Sequence, residues 1–325
     1  MPRPDVPDLV ERAQRGEPLA VARLISLVEN GVETGGVGSA DLRAVAAALA
    51  PHTGRAHVVG LTGPPGVGKS TSTSVLVTAL RAQGRRVGVL AVDPSSPFSG
   101  GALLGDRVRM GEHATDEGVF IRSMATRGHL GGLAWATPQA LRVLDAAGCD
   151  VVLVETVGVG QSEVEVVALA DTTVVLLAPG MGDGVQAAKA GILEIADVFV
   201  VNKADRDGAA QTVRDLRHMM SLGDAGGWTR PVVPTVAARG EGVDDLVAAL
   251  DAHRAWSDAG GERERRRLAR AESEIQAITL ERVRARIGDL PAAAGLAGLA
   301  KRVVAGDLDP YAAADELAGT VVGDH

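Results

Sequence analysis

The amino-acid sequence predicts an α/β fold, with a mostly parallel central sheet flanked by helices and with helical extensions at both the amino- and carboxyl-terminal ends. Three observations carry this. Seven short apolar runs alternate with stretches of helical periodicity between residues 58 and 236, and strands that alternate with helices need crossover connections. The runs are near-continuous Val and Leu, as in Val151-Val152-Leu153-Val154, which suits strands covered on both faces. A length of 325 residues, 46% hydrophobic and 23% charged, supplies a large core and excludes the disordered, collagenous and coiled-coil classes.

Residues 1–51 read as a helical extension. Leu9, Val10 and Ala13, then Leu19, Leu24, Ile25 and Val28 after Pro18, then Leu42, Val45, Ala46 and Leu49 before Pro51, recur at helical spacing. The core domain spans 52–256, with strands expected at 58–61, 87–92, 119–124, 151–154, 173–178, 198–201 and 232–236. Residues 257–325 form a carboxyl-terminal helical arm. Ser257-Asp258-Ala259-Gly260-Gly261 reads as a hinge, and 262–287, free of Gly and Pro, predicts a helix of about 39 Å. Arg263, Arg265, Arg266, Arg267 and Arg270 interleave there with Glu262, Glu264, Glu272 and Glu274, the pattern of a solvated, salt-bridged face. Leu268, Ile275, Ile278, Val283 and Ile287 give the helix a thin apolar stripe. Shorter helices are expected at 292–305 and 311–318. An arm with so little core of its own should pack on the core domain or on a second copy.

Composition narrows the function. Aromatic residues are 2% of the chain, too few for a platform that stacks single-stranded bases. A net charge of −8 offers no general attraction to nucleic acid or to anionic membrane lipid. Cys149 is the single cysteine, so no internal disulfide and no thiolate metal cage can form, which fits a reducing compartment; burial as a small hydrophobe is its expected role. The seven histidines show no metal-ligand spacing, and His129, amid glycines, is expected to pack in a loop. No run approaches about 18 apolar residues, and the amino terminus lacks a signal-peptide pattern. A soluble cytoplasmic protein with no nucleic-acid and no membrane partner is expected.

Gly63-Pro64-Pro65-Gly66-Val67-Gly68-Lys69-Ser70 matches the GxxxxGK[ST] pattern between the strand at 58–61 and a helical run that opens at Thr71. A P-loop NTPase is the reading, with these residues and Thr71 as the phosphate-binding set. Glycines let successive backbone N–H groups point at phosphate oxygens, and the helix amino terminus adds positive potential. Lys69 should reach the β- and γ-phosphates, and Ser70 should place its hydroxyl on Mg²⁺. Asn202-Lys203-Ala204-Asp205 directly follows the strand at 198–201 and resembles the NKxD guanine motif of GTPases, so GTP and GDP are the expected nucleotides. The Asp205 carboxylate can accept both N–H groups of guanine's Watson–Crick edge, where adenine would present an acceptor. Ala237-Ala238-Arg239 occupies the place of a backbone contact to the base.

Asp93 and Glu155 end the strands at 87–92 and 151–154, where a Mg²⁺ carboxylate and, through Gly158, a γ-phosphate sensor are expected. Common small GTPases place a water-orienting Gln directly after that Gly. This chain has Val159 there and Gln161 two positions later, so intrinsic hydrolysis should be slow.

The string from Gly60 to Thr71, with Asp93-Pro94-Ser95-Ser96, Gly105-Asp106-Arg107-Val108-Arg109-Met110, Arg127-Gly128-His129-Leu130-Gly131-Gly132-Leu133, Glu155-Thr156-Val157-Gly158-Val159-Gly160-Gln161-Ser162 and Asn202-Lys203-Ala204-Asp205, resembles the MeaB/ArgK family. These are SIMIBI-class, MMAA-like GTPases that serve adenosylcobalamin-dependent methylmalonyl-CoA mutase. The resemblance implies a GTP-driven chaperone that gates cofactor loading and protects the mutase, acting as a homodimer built through the carboxyl-terminal arm. By motif position it puts Asp106 in switch I, Glu155 in switch II, and Asp183, Gln186 and Lys189 in a third switch facing the mutase. Lys69, Asp93, Asp106, Glu155 and Lys189 would then be catalytic, and Ser70, Asp93, Asp106 and Glu155 would hold the metal. The third switch often reads Gly-Asp-Glu-Leu-Gln; here it is Gly182-Asp183-Gly184-Val185-Gln186, so no role of an acid at position 184 carries over. Two other functions compete: a P-loop kinase that phosphorylates a protein of a transport system, and a metallochaperone GTPase.

Overall fold

The computed structural model describes residues 5–35, 39–94, 111–113, 115–126, 136–156, 168–180, 195–221, 227–289 and 295–322. Three helices come first: α1 (Val6–Gln14), α2 (Pro18–Gly35) and α3 (Ala40–Leu49). Side-chain caps start two of them, with Asp5 accepting from Asp8 N at 3.3 Å and Ser39 accepting from Leu42 N at 3.1 Å. The core follows as β1 (His57–Thr62), α4 (Lys69–Ala82), β2 (Val87–Pro94), β3 (Val119–Thr126), α5 (Ala136–Ala146), β4 (Val151–Thr156), β5 (Thr172–Leu177), β6 (Val198–Asn202), α6 (Ala209–Ser221) and β7 (Val232–Thr235). Helices α7 (Val243–Ala259), α8 (Glu262–Asp289), α9 (Leu296–Ala305) and α10 (Pro310–Val322) complete the chain.

The seven strands form one sheet in the order β3-β2-β4-β1-β5-β6-β7, and every neighbouring pair is parallel. Successive side chains of a strand point to opposite faces, so each strand feeds two cores. Val59, Leu61, Val151, Leu153 and Val174 pack against Leu76, Val77 and Leu80 of α4 and Leu246, Val247 and Leu250 of α7. On the other face Leu90, Val92, Val152 and Val154 meet α5 together with Leu24, Ile25, Val45 and Leu49 of the first helices. The amino-terminal helices are therefore part of the sheet's cover. Leu19, expected on that apolar face, is instead 76% exposed.

The arm departs from its sequence reading in two ways. Ser257, expected in a hinge, is buried in the last turn of α7, and the helix break is confined to Gly260 and Gly261. Among the arginines at the start of α8, Arg265 keeps the expected solvated place, 65% exposed and paired with Glu262 at 2.6 Å, whereas Arg263, Arg266, Arg267 and Arg270 turn inward. Asp171 and Asp197 stand immediately before β5 and β6 and are buried. Asp171 accepts from Arg267 Nη2 at 2.8 Å, Arg270 Nη2 at 2.6 Å and the backbone of Val58 at 3.2 Å, and Arg263 Nε lies 3.6 Å away. Asp197 accepts from both terminal nitrogens of Arg266, at 2.8 and 2.9 Å, and from Thr173 N at 2.8 Å. Burial pushes both carboxyls up. The arginines outweigh it for Asp171, and His253 with Arg266 does so for Asp197, holding the former well below the carboxylate range and the latter at about 2. Arg263 and Arg267 also donate to the carbonyls of Arg55, Ala56 and Gly54 ahead of β1. The first three turns of α8 thus clamp the amino ends of three central strands.

Beside the clamp His57 Nε2 and His253 Nδ1 each meet Thr172 Oγ1 at 2.7 Å. Burial lowers the His57 pKa to about 4. Further along α8, Glu274 accepts from Arg142 Nη1 at 2.8 Å and Gln139 Nε2 at 3.0 Å of α5. Cys149 is buried, as expected, and burial pushes its thiol up to about 12. Among the described residues no helix is long and apolar enough to cross a membrane.

Candidate nucleotide site

Strand β1 delivers Gly63 at its carboxyl end and α4 begins at Lys69, so the chain must reverse within the intervening residues. Left-handed backbone does this at Gly63 (φ 143°) and Gly68 (φ 94°). Both positions also forbid a side chain: a Cβ on Gly63 would stand 2.2 Å from the Leu176 carbonyl, and one on Gly68 would stand 2.5 Å from Asn202 Nδ2. The Lys69 ammonium is buried and donates to the carbonyls of Gly63 at 2.5 Å and Pro64 at 3.3 Å. It is a cation folded onto its own loop, placed where phosphate charge is expected. On the next turn of α4, Ser74 donates to Glu112 and lies 3.3 Å from His113 Nε2, which fastens the short helix Gly111–His113 to the P-loop helix.

Glu155 sits on β4, next to β1, in register with Leu61. Its carboxylate is buried, and Ser70 Oγ donates to its Oε1 at 2.6 Å. A P-loop hydroxyl and a strand-end carboxylate within one hydrogen bond are hard oxygen donors of the kind Mg²⁺ takes, usually one or two from protein and the rest from water and phosphate. The donor set fits that metal. Asp93 is the penultimate residue of β2, one strand further out, and its backbone pairs with Ala125 of β3. Asp106, Gly158, Gln161, Asp183, Gln186 and Lys189, like His129, lie outside the described residues.

The NKxD residues do more than the base reading asked of them. Asn202 Nδ2 donates to the Val67 carbonyl at 2.7 Å, while its Oδ1 accepts from Ala237 N at 3.1 Å and Thr235 Oγ1 at 3.2 Å. Lys203 Nζ donates to the Gly66 carbonyl at 2.6 Å from a left-handed backbone (φ 59°) that a non-glycine residue seldom adopts. Asn202 and Lys203 therefore tie the phosphate loop to the end of β6, and Asn202 ties both to the Ala237–Arg239 turn beyond β7. Asp205 is left at the rim with its carboxylate half-exposed, 3.6 Å from Arg239 Nη2. Lys69, Ser70, Glu155, Asn202, Lys203, Asp205, Ala237, Ala238 and Arg239 are thus gathered at the carboxyl edge of the sheet, where open α/β folds bind ligands. Sequence reasoning missed Glu241, whose Oε1 accepts from Arg239 Nε at 2.9 Å. Its signal was an acid two residues beyond Arg239, across Gly240. A separate cavity of about 1290 Å³ lies beneath α8, bordered by Leu42, Leu141, Ala277 and Ile278, and touches none of these residues.

Residues 21–291 match the family model described as methylmalonyl Co-A mutase-associated GTPase MeaB. A Pyrococcus abyssi protein assigned provisionally as a GTPase is 47% identical over 322 residues, covering 98% of this chain and 97% of its own. The mouse methylmalonic aciduria type A homolog, a mitochondrial protein, is 38% identical over 267 residues, covering 80% of this chain and 64% of its own. The crystal structure of a LAO/AO transport system kinase superposes over 99% of each chain with a TM-score of 0.69 at 25% identity.

Proposed function

Because this chain belongs to the MeaB family of methylmalonyl-CoA mutase-associated GTPases, we propose that it is the guanine-nucleotide switch of an adenosylcobalamin-dependent methylmalonyl-CoA mutase, gating cofactor loading and protecting the enzyme. The observation that carries the reading is the shared frame of the site. One residue, Asn202, holds the phosphate loop and the base-side turn together, so a nucleotide bound at one end is registered at the other.

The chemistry follows from positioning and charge, which dominate phosphoryl transfer. Lys69 can exchange the carbonyls of Gly63 and Pro64 for the β- and γ-phosphates, neutralising charge that grows on them as the γ-phosphoryl leaves. Ser70 and Glu155 would hold Mg²⁺, with Asp93 and Asp106 completing the set by motif position. When bound, the metal supplies further neutralisation of the phosphate oxygens. With Val159 in the position of the usual water-orienting Gln, unaided turnover is slow, and the mutase accelerates it through the third switch by motif position, Asp183, Gln186 and Lys189.

A homodimer in the cytoplasm is part of the proposal. Leu268, Ile275 and Val283 of α8 are 58%, 65% and 39% exposed and share one side of the helix, an apolar stripe suited to a second copy. GTP turnover of wild type, Asp183→Ala and Lys189→Ala, with and without the mutase, tests the switch. Asp183→Ala should keep its basal rate and lose stimulation, whereas Lys189→Ala, at a residue read as catalytic, should lose basal and stimulated turnover together; stimulation that survives in both removes the coupling role. A kinase reading is favoured by one observation, the likeness in fold to the LAO/AO transport system kinase. Transfer of labelled γ-phosphate to protein in place of release as inorganic phosphate would support it.

A further inference from the structure

Arg239 belongs to a turn expected to offer the base a backbone contact, yet its side chain stands between two carboxylates. Nε donates to Glu241 Oε1 at 2.9 Å, and Nη2 faces Asp205 Oδ2 at 3.6 Å. The turn that carries it is closed at both ends. Val236 and Glu241 exchange backbone hydrogen bonds of 3.0 and 3.3 Å, and Arg239 N and Gly240 N donate back to Val236 and Ala237 at 2.8 and 3.1 Å. Gly242 seals the exit, since a Cβ there would stand 2.2 Å from the Pro234 carbonyl. Asp205 is fixed from the other side, because Ala204 N donates to Thr235 O at 3.0 Å. Two loops held this firmly present Glu241, Arg239 and Asp205 as a row along the lip of the base site.

We propose that Arg239 is a specificity-determining positioning residue, which orients the Asp205 carboxylate toward the paired N–H donors of guanine while Glu241 steadies its guanidinium. The inference rests on the guanine reading of Asp205. A carboxylate offers about four lone-pair sites, so a base taking two N–H bonds leaves room for Arg239 on the outer side of Oδ2. In the open rim such a pair is weak. Once a base covers Asp205 the pair is drier and holds the carboxylate in one orientation, so the geometry needed by the second N–H of guanine is set in advance.

The test is nucleotide discrimination, using GDP, IDP and ADP. IDP lacks the 2-amino group and makes one of the two bonds. Arg239→Ala should lower GDP affinity about 5- to 10-fold, of the order expected for one ordinary net hydrogen bond, and IDP affinity by less, so the GDP-to-IDP ratio falls. Arg239→Lys, which keeps the charge but not the fork, should recover part of that ratio. In an Asp205→Asn background the Arg239→Ala effect should vanish, an outcome that loosening of the turn alone would not produce. Equal losses for GDP, IDP and ADP, or the same loss in both backgrounds, would overturn the proposal. Equal GDP and ADP affinity in the wild type would instead overturn the guanine reading, and is seen before any Arg239 variant is made.

Discussion

Asp171 is the carboxylate on which the arm's anchorage converges, and Asp171→Asn isolates its charge with almost no change of volume. Its side chain is 3% exposed and meets Arg263, Arg267 and Arg270. Removing one partner of a buried ion pair costs about 3–5 kcal/mol, because the remaining charge stays desolvated. The amide oxygen can still accept one guanidinium hydrogen bond, so the lower end, about 3 kcal/mol, is expected for Asn. Arg267→Ala should cost less, about 1.5–3 kcal/mol, since Arg270 keeps its 2.6 Å bond to the carboxylate. Urea denaturation at pH 7 and a fixed protomer concentration measures both. A loss below about 1 kcal/mol for Asp171→Asn, or a larger loss for Arg267→Ala, would refute the convergent clamp.

Lys69→Ala should abolish detectable GTP hydrolysis and weaken triphosphate binding more than nucleoside binding, as comparative calorimetry would show; wild-type turnover would remove the P-loop assignment. GDP should bind at least about 10³-fold tighter than ADP, and Asp205→Asn should move preference toward xanthine nucleotides, whose extra carbonyl accepts from the new amide. His57 and Asp197 both have folded pKa values depressed below their ordinary ones, so each stabilises fully above its unfolded pKa and loses that contribution as pH falls. For His57 the window runs from 6.5 to about 4, worth about 3 kcal/mol, and for Asp197 from 3.8 to about 2, worth about 2 kcal/mol. Denaturation at pH 7, 5 and 3 should therefore show a two-stage decline whose upper stage is absent in His57→Gln. Leu268→Glu with Ile275→Glu, which leaves the clamp and Glu274 in place, should give a monomer in light scattering, whereas a cut after Gly261 should also destabilise the core.

The strands were legible because a parallel sheet covered on both faces writes each strand as an unbroken apolar run, and 198–201 or 151–154 have no other reading. The nucleotide motifs were legible because glycine spacing and a following Lys-Ser carry their own geometry. The arginines of α8 were not. Local spacing rules register Arg266 with Glu262, a pair that does form at 2.9 Å, but are blind to Asp197, 69 residues upstream. The usable signal lay with the acids: Ala170-Asp171 and Ala196-Asp197 each open an apolar strand, and an acid at the mouth of a buried strand needs a cation from elsewhere. The His57–Thr172–His253 contacts were illegible for the same reason, since each joins residues more than 80 positions apart.

Three tryptophans occur in the chain, and two of them, Trp228 and Trp256, lie with His253 at the clamp, with ring centroids 5.0 to 5.6 Å apart. Trp228 Nε1 also donates to the Asp197 carbonyl at 2.9 Å. The near-ultraviolet emission of the protein is consequently weighted toward the end of the sheet remote from the nucleotide. With Trp135, which lies outside the described residues, replaced by Phe, the remaining fluorescence would be an optical gauge of how firmly the arm is seated, readable while the opposite edge of the sheet is loaded with GDP or GTP.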